Sequence, residues 1–149
     1  MTTATENHAE ITLQLLSATG PKDAVYALLR QLRPAYSQKA MSEQINKQQS
    51  QGYQLAYVER HGEVVAVAGF YIGEKLAWGK HLYVDDLVTS DQHRSAGMGK
   101  RLLDWLKQYA ISQHCQQLHL DSGVQRFTAH KFYLREGFKI ASHHFSMAL

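Results

Sequence analysis

The sequence predicts an α+β fold: a mixed, mostly antiparallel central sheet flanked by helices, in the order β-α-α-β-β-β-α-β-α-β. Three observations lead there. A chain of 149 residues, 44% hydrophobic and 19% charged, suits a single domain with a sizeable core. Segments that alternate apolar and polar residues are interleaved with segments whose apolar residues recur every three or four positions. Glycine, proline and polar clusters separate these segments, as turns require.

Residues 1–9 read as a polar tail. Ile11, Leu13 and Leu15 then alternate as in a strand, and Gly20-Pro21 marks the turn that follows. Over 22–32, Val25, Leu28, Leu29 and Leu32 share a helical face, and Pro34 limits that helix. A second helix is expected over 42–51, capped by Ser42 and stopped by Gly52. Residues 33–40, between the two helices, read equally well as a plain connection or as a substrate-facing loop. Strands over 53–60 and 63–72 are joined by His61-Gly62, a hairpin signal, and Gly69 marks a bulge or a close backbone approach. The strand over 81–89 is central, and polar residues 90–93 lead from it into a helix over 96–112. There Met98, Leu102, Leu103, Leu106, Tyr109 and Ala110 form one apolar face. A strand over 117–121, a Ser-Gly loop over 122–125, a helix over 127–136 ended by Gly137 and a last strand over 138–145 complete the chain.

Composition narrows the function. The net charge is +3 and the pI near 9.0, but the sixteen Lys and Arg are scattered rather than gathered into a basic stripe. Nucleic acid is therefore not an expected partner, and a small anionic ligand accounts for the modest excess equally well. One cysteine excludes an internal disulfide framework and fits a reducing compartment. No apolar run approaches membrane-spanning length, so a cytoplasmic protein without a membrane partner is expected. His114-Cys115 with His119 lacks the ligand pairing of zinc sites, and no metal is expected.

The chemistry concentrates where the central strand gives way to the next helix. Gly97 and Gly99 lie at the helix start, bracketed by Arg94 and Lys100. Outward backbone N–H groups, the helix dipole and side-chain-free glycines make such a junction an anion site. It is neither of two familiar phosphate loops. A P-loop requires glycine where Arg94 stands and Ser or Thr where Arg101 stands, and a dinucleotide fingerprint requires a third glycine at Leu102.

The pattern Arg94-x-x-Gly97-x-Gly99 after a strand resembles the acetyl-CoA signature of the GCN5-related N-acetyltransferase (GNAT) superfamily. A second segment, residues 129–138, resembles the family's last helix, with Tyr133 ahead of Gly137-Phe138. These motifs cover the C-terminal half; the N-terminal half matches in element order. The resemblance implies the GNAT fold and direct transfer of acetyl from acetyl-CoA to a primary amine of a small molecule or peptide. It implies that the backbones of Leu87, Val88 and Thr89 pair with the pantetheine arm, with the Val88 N–H as oxyanion donor. Arg94, Ser95, Ala96, Gly97, Met98, Gly99 and Lys100 would cradle the pyrophosphate, and Tyr133 would protonate the leaving thiolate. Members often form homodimers. Many also place an asparagine near the start of the last helix, where this chain has Thr128, Ala129 and His130.

Asp85 and Asp86 end the central strand. A lysine-like amine, with a pKa of about 10.4, costs about 4.6 kcal/mol to deprotonate near neutrality, whereas an α-amine costs about 1 kcal/mol. One of the two aspartates, Asp86 ahead of Asp85, is the candidate general base or ammonium anchor; the alternative is a pair of hydrogen-bonded strand-end carboxylates. Tyr71, Trp78, His130 and His144 are candidates for shaping an acceptor site. Two other functions stay open: a non-catalytic acyl-CoA sensor, and an acetyltransferase acting on a protein N-terminus or charged tRNA.

Overall fold

The computed structural model describes residues 10–92 and 96–149. Its elements are β1 (Ile11–Leu15), α1 (Lys22–Leu32), α2 (Gln38–Gln49), β2 (Gln54–Arg60), β3 (Glu63–Lys75), β4 (Gly79–Thr89), α3 (Met98–Ser112), β5 (Gln117–Leu120) and α4 (Phe127–Arg135). The strands form one mixed sheet in the order β1-β2-β3-β4-β5. Neighbours from β1 to β4 are antiparallel. Helix α3 bridges β4 and β5, the long connection that parallel neighbours need. Two compact units divide between His119 and Leu120, the second holding α4 and the residues after it.

Local sequence explains most boundaries. His61 and Gly62 both take positive φ (52° and 77°), the two-residue turn that matches strand twist. Helix α2 starts a turn earlier than its periodicity predicts. Its cap is Ser37, whose hydroxyl accepts from the Ala40 N–H at 3.1 Å, and Ser42 sits inside the helix. Most of the expected 33–40 loop shortens accordingly. No strand forms over 138–145 among the described residues. Ile140 and Phe145 are exposed, so the alternating pattern there is not a half-buried ladder face.

The two faces of the sheet are covered by different helices. On one, Val25, Leu28 and Leu29 of α1 and Met41 and Ile45 of α2 pack with Tyr57, Val67 and Val88. The strand registers make Tyr57, Val67 and Val88 a single cross-strand row. The other face takes α3, whose Leu102, Leu103 and Leu106 are fully buried and whose Tyr109 ring meets Phe70 edge-on.

One irregularity lies between β3 and β4. Gly69 pairs with Asp86, but the next pair is Phe70 with Val84, so Asp85 is an extra residue that the register skips. Such a bulge flips the alternation. Before it, Tyr83 lies across from Tyr71; after it, Asp86 lies across from Gly69, and both rows face α1 and α2. Gly69 is needed there because a Cβ on it would overlap the Tyr53 ring and hydroxyl, which cross over its backbone. Gly69→Ala should therefore lower stability by about 1–3 kcal/mol. Gly73→Ala, whose Cβ would meet only His81 at an ordinary 3.9 Å, should stay within about 0.5 kcal/mol of wild type. Urea unfolding of both variants checks this, and equal effects would contradict the close approach.

Candidate active site

The second half of β4 has one backbone edge turned toward β3 and one turned away from it. The Ser90 N–H donates to the Val65 carbonyl at 2.8 Å, which makes Ser90 and Val65 a hydrogen-bonded pair. Antiparallel pairs alternate, so Val88 with Val67 and Asp86 with Gly69 are also hydrogen-bonded pairs. The Val88 N–H is thus turned toward β3, correcting its expected role as oxyanion donor. Leu87 and Thr89 present their N–H and C=O groups to the opposite edge. Strand β5 has four residues against eleven in β4, and it begins where the Gln116 N–H donates to Lys80 at 2.7 Å, near the start of β4. The stretch 87–89 lies beyond that start, on the far side of the bulge.

At the end of this edge stands the first turn of α3. Gly97 is its N-cap in the left-handed region, φ 76°, and beyond its chain neighbours no other described residue comes within 4 Å of the position a Cβ would take. A Cβ on Gly99 would come within 3.2 Å of Thr89 Oγ1, so the helix start abuts the strand end. The first intrahelical bond of α3 among the described residues runs from the Arg101 N–H to the Gly97 carbonyl at 3.1 Å. A helix start of this kind, led by glycine, fits a diphosphate. Lys100 Nζ meets Asp104 at 3.2 Å, and Ala96 is exposed. Arg94 and Ser95 lie outside the described residues.

Asp86 faces the other way, under α1 and α2. Its Oδ2 accepts from the Tyr53 hydroxyl at 2.6 Å and its Oδ1 from Arg33 Nε at 3.1 Å, with Arg33 Nη2 at 3.0 Å. Nη2 also donates to the Asp85 carbonyl at 3.3 Å, which ties α1 to the bulge. Asp86, Tyr53 and Arg33 line a pocket of about 170 Å³ with Leu29, Tyr36, Met41, Gln44, Ile45 and Gln48. Burial, then the charge and hydrogen bond of Asp86, push the Tyr53 phenol far above its ordinary pKa. Tyr53 therefore serves Asp86 only as a proton donor. Neither Arg33 nor Tyr53 was individually marked by sequence, because each reaches Asp86 across a long separation (53 and 33 residues).

The remaining candidates scatter. Asp85 is exposed at the bulge. Tyr71 packs beside Tyr53, ring centroids 5.3 Å apart, but does not line the pocket. Trp78 does not line it either. It stacks on His119 at 3.5 Å and on Tyr83 at 6.0 Å, with Lys75 Nζ 4.0 Å from its ring centre. In the C-terminal unit, His130 Nε2 bonds the Gly123 carbonyl at 2.7 Å and His144 Nδ1 meets Asp121 at 3.0 Å. Both imidazoles thus have local structural partners. Tyr133 lies on α4 with its ring 5.4 Å from Phe132 and 5.8 Å from Phe138. Burial raises its pKa, with Arg126 opposing. Among the described residues no helix is long and apolar enough to cross a membrane, and no three His, Cys, Asp or Glu side chains gather in a metal-binding group.

Residues 22–138 match the model of the acetyltransferase (GNAT) family. The chain belongs to that family of acetyl-CoA-dependent acetyltransferases. It is 36% identical over 98 residues to an uncharacterized N-acetyltransferase of Bacillus subtilis, covering 65% of this chain and 69% of the relative. It is 27% identical over 144 residues to the aminoalkylphosphonate N-acetyltransferase of Salmonella typhimurium, covering 89% and 88%. Among solved structures, the aminoglycoside N-acetyltransferase AAC(6')-Iy in complex with CoA superposes with a TM-score of 0.81 at 13% identity, covering 93% of this chain and 94% of that one. The last likeness is one of fold.

The Tyr53–Asp86 contact has a pH signature. Because the folded state holds the Tyr53 proton more tightly than the unfolded chain, the stability it contributes is complete below the unfolded tyrosine value of about 10 and lost as pH rises past it. Tyr53→Phe should flatten the fall in Tm between about pH 9 and pH 11. Parallel Tm curves for the two proteins would refute the buried donor.

Proposed function

We propose that this protein transfers acetyl from acetyl-CoA directly to a primary amine of a small molecule. One juxtaposition carries the reading. Consecutive residues of β4 serve two sides, Asp86 turned into a pocket and Leu87 with Thr89 turned to the backbone edge away from β3, which ends at the α3 start.

Acetyl-CoA supplies a thioester whose carbonyl carbon the amine attacks. On the protein side, the Leu87 and Thr89 amides pair with the pantetheine arm as an added strand would, and one of these N–H groups steadies the carbonyl oxygen as charge develops. The Met98, Gly99 and Lys100 amides hold the diphosphate, with Arg94, Ser95, Ala96 and Gly97 completing the loop. Asp86 accepts hydrogen bonds from Arg33 Nε and the Tyr53 hydroxyl, and a carboxylate with about four lone-pair sites has capacity for an ammonium N–H as well. It draws in the amine and takes up its proton directly or through water, with Asp85 as the alternative carboxylate. Tyr133, kept protonated by burial, returns a proton to the leaving thiolate.

The size of the acceptor follows from the pocket. At about 170 Å³ it lies below the 300–1,000 Å³ typical of drug-sized ligands, which favours a small amine over a peptide or aminoglycoside. The similarity to an aminoalkylphosphonate N-acetyltransferase supports the same class. A cytoplasmic setting, expected from the single cysteine, and a homodimer, expected from the family resemblance, remain part of this reading.

Thiol release from acetyl-CoA in the presence of small primary amines tests the proposal. Turnover is expected, with Tyr133→Phe lowering kcat about 10²–10⁴-fold while CoA affinity holds. Undiminished turnover in the variant would remove Tyr133 from the chemistry. CoA binding with no turnover on any amine would instead support a sensor.

A further inference from the structure

The pocket under α1 and α2 holds two opposite charges where an amine acceptor needs only one. Arg33 places its guanidinium on Asp86 Oδ1 from the pocket wall, and its side chain is 49% exposed where that of Asp86 is 16%. The arginine is therefore the accessible partner at the mouth and the carboxylate the deeper one. Of the five N–H donors of a guanidinium, the bonds to Asp86 and Asp85 engage the Nε and Nη2 groups and not those of Nη1. Gln44 and Gln48 line the same pocket and are linked by a 3.0 Å bond from Gln44 Nε2 to Gln48 Oε1.

These groups discriminate among amines. A simple cationic amine approaching Asp86 brings a second positive charge beside Arg33, inside a site partly walled by Leu29, Met41 and Ile45 where screening is weak. A polyamine adds further positive charge. An amine that carries its own anionic group meets no such conflict, since its ammonium faces Asp86 while its anion pairs with the Nη1 side of the guanidinium. Four charges then alternate in sign, and each has an opposite neighbour.

We propose that the acceptor is a small zwitterion, a primary amine separated by two or three bonds from a carboxylate or phosphonate, and that Arg33 is the residue that selects it. This rests on the acetyl-transfer reading above. Arg33 acts on the anion and not on the reacting atoms, so it is a specificity residue. The step it serves is the one already described: the nitrogen bonds to the acetyl carbon, the carbon–sulfur bond breaks, and the ammonium proton leaves through Asp86 or water.

The test compares acceptors matched in size. 2-Aminoethylphosphonate and β-alanine carry the anion, propylamine and ethanolamine lack it, and putrescine replaces it with a second cation. Values of kcat/KM come from thiol release, and affinities from calorimetry on the full-length protein saturated with CoA. The zwitterions should exceed propylamine by at least about ten-fold, and Arg33→Gln should erase that ratio while Arg33→Lys keeps part of it. The two zwitterions distinguish a phosphonate from a carboxylate site. A wild-type preference for propylamine or putrescine, or a zwitterion preference unchanged in Arg33→Gln, would overturn the proposal. If no amine turns over, the acetyl-transfer reading fails by itself, and calorimetry still decides this one. Arg33-dependent binding of the zwitterions upholds it, and binding indifferent to the anion defeats it.

Discussion

A single extra residue in β4 governs the site. Without the bulge at Asp85, strict alternation would put Asp86 on the face of Val84 and turn it toward α3. With it, Asp86 joins Val88 on the face covered by α1 and α2, where Arg33 and Tyr53 can reach it. The bulge also sets which amides lie on the edge away from β3. It is held in place by specific contacts: Arg33 bonds the Asp85 carbonyl, and the missing side chain at Gly69 lets Tyr53 cross to Asp86. A glycine, a tyrosine, an arginine and two aspartates thus form one unit.

The electrostatics follow from that unit. A carboxylate in an apolar-walled pocket is costly unless paired and hydrogen-bonded, and Asp86 has both kinds of partner. Removing one partner would strand a charge, so the network is stiff. A stiff carboxylate suits an acceptor anchor, because the amine must be presented at one angle to a thioester lying along the adjacent edge. The donor side as proposed is built differently, chiefly from backbone. Glycines at 97 and 99 keep side chains off the helix start, and the Leu87 and Thr89 amides lie on the edge of β4 away from β3.

Much of this was legible in the sequence, and the misses have physical causes. The spacing of Arg94, Gly97 and Gly99 after an apolar strand marked the family, because phosphate binding by backbone needs glycine at fixed positions. Gly69 was marked as a bulge or close approach, and it is both. The apolar faces of α1 and α3 were readable because burial imposes a period. The α2 start was misread because both Ser37 and Ser42 can cap, and only the hydrogen bond to the Ala40 N–H distinguishes them. The strand over 138–145 failed because alternation describes a pattern and not a pairing partner. Arg33 and Tyr53 were missed for a related reason: their meeting with Asp86 depends on the bulge shifting the register of a strand far away in sequence. Val88 was assigned the wrong edge because the phase of an antiparallel ladder is invisible without its register.

Amide hydrogen exchange by NMR, with and without CoA, addresses the edge assignment most directly. The Val88 N–H, bonded to β3, should exchange slowly in the free protein and change little on addition of CoA. The Leu87 and Thr89 N–H groups should exchange faster in the free protein and become protected when CoA pairs with them. Protection of Leu87 and Thr89 before CoA is added, with Val88 the amide that CoA protects, would place the open edge on the wrong phase of β4 and contradict the account.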